Sequence, residues 1–410
     1  MLPVFLLLLW AGQPSFETLF RSGLAALQQN QLAAAQAQLE SAAKLKPDSP
    51  QVWLALAHTY HKLDRAAAAE AAIGKAVSLA GNDPTALQGL ALYYSETGSF
   101  ERAADFSARL ARLSPHDAGA AARAVELYLK ARKPEPAIGL ASRAIQVEDR
   151  ADLRALLAAA YETAQRPGEA AGQLERAILL NRYEESYYFR AARDYVIAGK
   201  APMAVQVVEA GKKIFARSAQ LELILGIAYY ALERYTEALD AFLNAIGMDP
   251  TVEQPYVFIA RTMDHTPSRL PRILAAFHAL AANDPDNYLS NYLYGKALLM
   301  SGDDDDKAEA LLRKSISLKA DYWESHLEMA KALEQKGDLE GARPELQRAI
   351  ELNPKSAEAH FRLGRVYGRM GKPEEARKEY AIQTQLIDAE ESGPRHSGRL
   401  RQGEGLPAKP

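Results

Sequence analysis

Leu225-Gly226-Ile227-Ala228-Tyr229, followed by Ala238, Phe242 and Ala245 and then by Pro250, is the stretch that decides the fold. Leu225, Gly226 and Tyr229 share one stripe of a first helix, at i, i+1 and i+4. Ala238, Phe242 and Ala245 share a stripe of a second helix. Small residues at Gly226 and Ala238 let the two helices come close, Tyr229 and Phe242 fill the space beside them, and Pro250 stops the second helix. Such a hairpin cannot hide its own apolar face and must stack on copies of itself. The same spacing returns about every 34 residues along nearly the whole chain.

Counted outward, the register gives about eleven repeats. It runs from Gly23, Ala35, Leu39 and Ala42 through Leu56, Ala57 and Tyr60 to Leu363, Gly364, Tyr367 and Ala376. The eighth unit keeps Tyr256, Ile259 and Ala260 but places Arg272 where the small residue of the second helix belongs. Its turn, Thr266-Pro267-Ser268-Arg269-Leu270-Pro271, is long and stiff, which makes residues 251–286 a candidate hinge. The expected organisation is repeats one to seven over 16–250, this degenerate unit, and repeats nine to eleven with a capping helix over 287–390. Ile382 to Ala389 are expected to cover the last apolar face.

These residues resemble the tetratricopeptide repeat. The resemblance implies an all-α fold, a right-handed α-solenoid of stacked antiparallel helix hairpins, serving as a non-catalytic scaffold for a protein or extended peptide.

Composition agrees with one continuous folded core: the chain of 410 residues is 48% apolar and 25% charged. A net charge of −3 argues against general nucleic-acid binding, which needs a markedly basic surface. Without cysteine there is no disulfide, thiolate metal site or cysteine nucleophile. Leu2 to Trp10 is almost wholly apolar and ends at Ala11-Gly12. It is too short to span a bilayer, which takes about 20 residues, and residues 1–12 read as a secretory signal. A periplasmic or secreted location follows, with a cytoplasmic one as the alternative, the apolar run then capping the first repeat. Residues 391–410 lose periodicity and read as a disordered tail.

No catalytic signature is present: no phosphate-cradling glycine loop with lysine, no Gly-x-Ser-x-Gly elbow, no His-Glu-x-x-His pair. His58 and His61 lie three apart on a helix but lack a third ligand nearby. His326 and His360 hold equivalent places in adjacent repeats and read as packing positions. Asp303 to Asp306 lack the alternation of a calcium loop and read as an acidic turn before a helix N-terminus. No cofactor and no metal are expected.

Function should therefore reside on a surface. In each first helix the fifth and ninth residues project together, and the resemblance places them in the concave groove. From the sixth repeat the fifth position reads Phe189, Leu223, Val257, Tyr292, Leu327, Phe361; the ninth reads Arg193, Ile227, Arg261, Lys296, Lys331, Arg365. One row is apolar throughout, the other cationic in all but one place. An extended, acidic partner segment fits that pattern, its affinity coming mostly from burial of the aromatics, because exposed ion pairs contribute at most about 1 kcal/mol each. The competing reading is a solvated face, since Arg and Lys are good helix formers. Members of the family that bind chaperone tails carry Lys and Asn at the first such positions; Phe20 and Leu24 stand here instead. A component of envelope assembly or polysaccharide secretion is the alternative function, and oligomeric state is left open.

Overall fold

The computed structural model describes residues 15–392, so the apolar segment 1–12 and the tail beyond Ser392 lie outside the described residues. Among the described residues every regular element is helical. The chain divides into two compact units between Arg182 and Tyr183.

In the first unit α1 (Phe16–Gln28) pairs with α2 (Leu32–Leu45), α3 (Pro50–Lys62) with α4 (Ala66–Ala80), and α5 (Pro84–Glu96) with α6 (Phe100–Leu113). Two further hairpins follow: α7 (Ala118–Lys130) with α8 (Pro134–Val147), and α9 (Ala151–Thr163) with α10 (Pro167–Leu180). The second unit opens with α11 (Glu185–Ile197) against α12 (Ala201–Lys212), then α13 (Ala219–Ala231) against α14 (Tyr235–Met248). After α15 (Glu253–Thr262) and α16 (Leu270–Asn283) come α17 (Tyr288–Ser301) with α18 (Asp305–Leu318) and α19 (Trp323–Lys336) with α20 (Leu339–Leu352). The last pair is α21 (Ala357–Arg369) with α22 (Pro373–Ser392). Each unit is thus a stack of antiparallel hairpins, the solenoid arrangement that the 34-residue register requires.

Local chemistry sets the boundaries. Ser218 caps α13 by accepting from the Leu221 amide at 3.0 Å, and Asp304 caps α18 from Lys307 at 2.9 Å. Asp305 and Asp306 then occupy the first turn of α18, where the helix dipole favours acids. Ten of the hairpin turns hold one residue in the left-handed region: Asn30, Asp64, Gly98, Arg132, Gln165, Gly199, Glu233, Gly302, Gly337 and Gly371. Close approach decides the packing inside a hairpin: a Cβ on Gly226 would lie 2.6 Å from Phe242 Cδ1. Phe242 is fully buried and stacks on Phe258 of the next repeat, ring centroids 5.1 Å apart.

The eighth repeat departs from the expected register. Its turn is longer by two short 3-10 helices, Met263–His265 and Pro267–Arg269. The small-residue position of the second helix is therefore filled by Ile273, which is fully buried, and not by Arg272. Arg272 points out and pairs with Asp240 at 2.6 Å. A branched side chain at the close-approach point holds the two helices apart, and α16 packs more closely on α17 than on α15. This repeat lies inside the second unit, away from the division at residues 182 and 183.

At the C-terminal end Ile382 to Ala389 continue α22 as one helix of 20 residues, and Ile382 and Ile387 stay exposed. No turn signal interrupts Tyr380 to Ala389, so nothing bends the chain there.

Candidate functional site

Successive first helices of the second unit lie side by side, α11 on α13, α13 on α15, α15 on α17 and α17 on α19. The fifth residue of a first helix sits in that seam and is covered by the next. Phe189, Leu223 and Leu327 are each 4% exposed and Tyr292 6%, while Val257 is half-buried. Phe361, on α21, has no first helix after it among the described residues and is 43% exposed. The apolar row is thus mostly a packing seam. Its burial is spent on folding and is not available to a ligand, which corrects the expectation that these aromatics supply the affinity.

The ninth residues are neither a bare cationic stripe nor simply solvated. Arg193 is buried and bonded to Asp194 at 2.9 Å, and Ile227 is buried. Lys296 Nζ donates to the Ala260 carbonyl at 2.9 Å and lies 3.6 Å from Asp264. Lys331 bridges Glu328 at 2.9 Å and Glu358 at 2.8 Å. Arg365 is bonded to Glu334, and Arg362 reaches Glu358 at 3.1 Å and Glu334 at 3.7 Å. Burial works against the Lys331 ammonium, but Glu328 and Glu358 outweigh it and hold its pKa above the ordinary lysine value. Burial likewise raises Glu358, yet Lys331 and Arg362 bring it below the ordinary carboxylate value.

Two cations on this surface have no hydrogen bond or ion pair among the described residues. They are Arg261 on α15 and Arg369 on α21, both exposed. Between them runs one groove, seen as two cavities of about 570 and 540 Å³ that share Asp264, Lys296, Glu328, Lys331 and Arg362. One end is walled by Tyr230, Tyr292, Tyr322 and Trp323; the other is lined by Leu299, Met300, Gln335 and Arg369. Val257, Arg261, Tyr292, Lys296, Leu327, Lys331 and Arg365 are therefore brought together, whereas Phe189, Arg193, Leu223 and Phe361 line neither cavity.

The acids that neutralise the row were missed by reading only two positions per repeat. Their signal is present in the sequence: Glu328 precedes Lys331 by three and Glu358 precedes Arg362 by four.

Models of the tetratricopeptide repeat match residues 26–92, and 189–253 with 274–322. A TPR repeat model matches residues 335–371. No curated protein matches the chain. Among solved structures, it is similar to yeast Tom70 at 15% identity, covering 90% of this chain and 92% of that one, with a TM-score of 0.40. It is similar to the APC/C hetero-tetramer Cut9-Hcn1 at 11% identity, over 95% and 96% of the two chains, with a TM-score of 0.43. It also resembles YrrB, described as a TPR protein with an unusual peptide-binding site, at 16% identity over 46% of this chain and 96% of that one, TM-score 0.38. Likenesses this distant carry no argument about the site.

Proposed function

The chain belongs to the tetratricopeptide repeat family, and we propose that it is a non-catalytic scaffold holding an extended segment of a partner protein in the groove of α15, α17, α19 and α21. The observation that carries this is the groove itself: α15, α17, α19 and α21, with Tyr230 of α13 at one end, line one open channel with an unpaired arginine on the first and last of these four helices. Arg261 and Arg369 call for acidic groups on the partner, while the paired charges between them set register by hydrogen bonding. Packed helices are about 8–10 Å apart, so three steps span roughly 25–30 Å, and an extended chain covers that in about eight or nine residues.

Energetics make the complex weak. Two exposed ion pairs contribute at most about 2 kcal/mol together, against the roughly 8 kcal/mol of a micromolar complex. The remainder comes from the half-buried Tyr322 and Trp323 and from backbone hydrogen bonding. A pull-down comparing wild type with the Arg261→Glu/Arg369→Glu double variant tests the reading. Partners lost from the variant support it; an unchanged set of partners refutes it.

A further inference from the structure

We propose that the segment seated in this groove carries a lysine or arginine that docks on Glu324, next to the acidic residue held by Arg261; this rests on the groove reading above. Glu324 is the second residue of α19 and lies at the tyrosine-walled end of the groove. Its Oε2 atom is buried and has no hydrogen-bond partner. A buried carboxylate oxygen left unpaired is costly and uncommon, so it asks for a partner from outside the chain.

The neighbouring cations are engaged elsewhere. Lys296 donates to the Ala260 carbonyl and lies beside Asp264. Lys319 Nζ stands over the Tyr288 ring, 4.3 Å from its centroid. Arg261 lies over the Phe258 ring, 5.8 Å from its centroid, and forms no ion pair with Glu324. Burial raises the pKa of Glu324, opposed first by a hydrogen bond from its own backbone amide and then, through space, by Arg261, Lys319 and Lys296.

The walls suit a cation. Tyr322 and Trp323 are half-buried and line the cavity, and Tyr292 backs the Tyr322 ring edge to face, centroids 5.1 Å apart. Aromatic rings of this kind hold the methylene stem of a lysine or arginine and attract its charge. Glu324 and Arg261 line the same cavity of about 540 Å³. A purely acidic segment would leave Glu324 unpaired beside added negative charge; a mixed-charge segment satisfies both groups, and the difference is a basis for selectivity.

The test uses an array of 12-residue peptides on a Gln/Ala background, with one Glu and one Lys placed at every pair of positions, and matched peptides lacking the Lys. The full chain is compared with Glu324→Gln, a nearly isosteric change, and with Arg261→Gln, each checked for helicity by circular dichroism. The expected result is that wild type prefers peptides bearing both charges. Glu324→Gln then removes the preference for Lys about fivefold or more while keeping that for Glu, and Arg261→Gln does the reverse. If peptides bind through Arg261 and Glu324→Gln changes nothing, this inference is overturned and the groove reading stands. If no peptide binds, or binding ignores Arg261, both fall.

Discussion

Nδ1 of His326 lies 2.6 Å from a carboxylate oxygen of Glu345, while Nε2 of the same ring lies 3.1 Å from the Ala320 carbonyl. Both ring nitrogens face acceptors, so the ring is best satisfied as the imidazolium, donating twice. Burial opposes that charge, but Glu345 and the Ala320 carbonyl outweigh it and raise the pKa of His326 above its ordinary value. His360 repeats the geometry one period later, 2.6 Å from Glu379 and 3.2 Å from the Pro354 carbonyl.

A raised folded-state pKa fixes the sign of a pH effect. The stability contributed by His326 is fully present below the unfolded value of about 6.5 and is lost as pH rises through the folded value. His326→Gln is expected to cost about 1.5–3 kcal/mol near pH 6 and less near pH 9. Urea melts at several pH values check this, and a deficit that grows with pH would contradict it.

Turn chemistry gives a second expectation. Arg132 sits between α7 and α8 at φ 55°, a conformation that strains a residue with a Cβ by roughly 1–2 kcal/mol. Glycine relieves the strain but gives the unfolded chain more freedom, so Arg132→Gly should gain a net of about 0.5–1 kcal/mol. Amides of α7 and α8 should then exchange with deuterium about two- to fivefold more slowly. Faster exchange would show that the arginine side chain stabilises the turn.

The close approach of the seventh hairpin supplies a third. Gly226→Ala places a methyl group against the Phe242 ring, which is already packed on Phe258, at an expected cost of about 1–3 kcal/mol. Gly172→Ala is the control: its Cβ meets nothing within 4 Å, and alanine there should gain up to about 1 kcal/mol. Opposite shifts in melting temperature are expected from the two changes.

Most of the fold is legible in the sequence because each hairpin announces its own contacts. Gly226 with Phe242 and Gly364 with Tyr380 recur at fixed spacing, and the structure places each glycine against that ring. What escaped depends on neighbours. The eighth repeat was misaligned by one residue because two 3-10 turns lengthen its connection without changing its composition. Burial of Tyr292 and Leu327 was hidden because periodicity fixes which face a residue occupies, not what the next helix lays over it. His326 and His360 were read as packing positions because their role depends on carbonyls six residues back. The same contact is made by Trp53 to Pro47, Tyr256 to Pro250 and Asn291 to Pro285, so residue type conceals the equivalence. For the candidate site, the cations were legible one at a time. Their neutralisation was not, since Lys331 is bridged to a carboxylate in the following repeat as well as to one in its own.

Site-specific photo-crosslinking tests the central claim most directly. A photoreactive residue replaces Met300, which lines the groove, or Arg348, which is exposed on α20, and the adducts are mapped by mass spectrometry. The account predicts that Met300 captures one short partner segment carrying acidic residues, that Arg348 does not, and that Arg261→Glu with Arg369→Glu abolishes the adduct. Equal capture from Arg348, or an adduct at Met300 indifferent to both arginines, would contradict it.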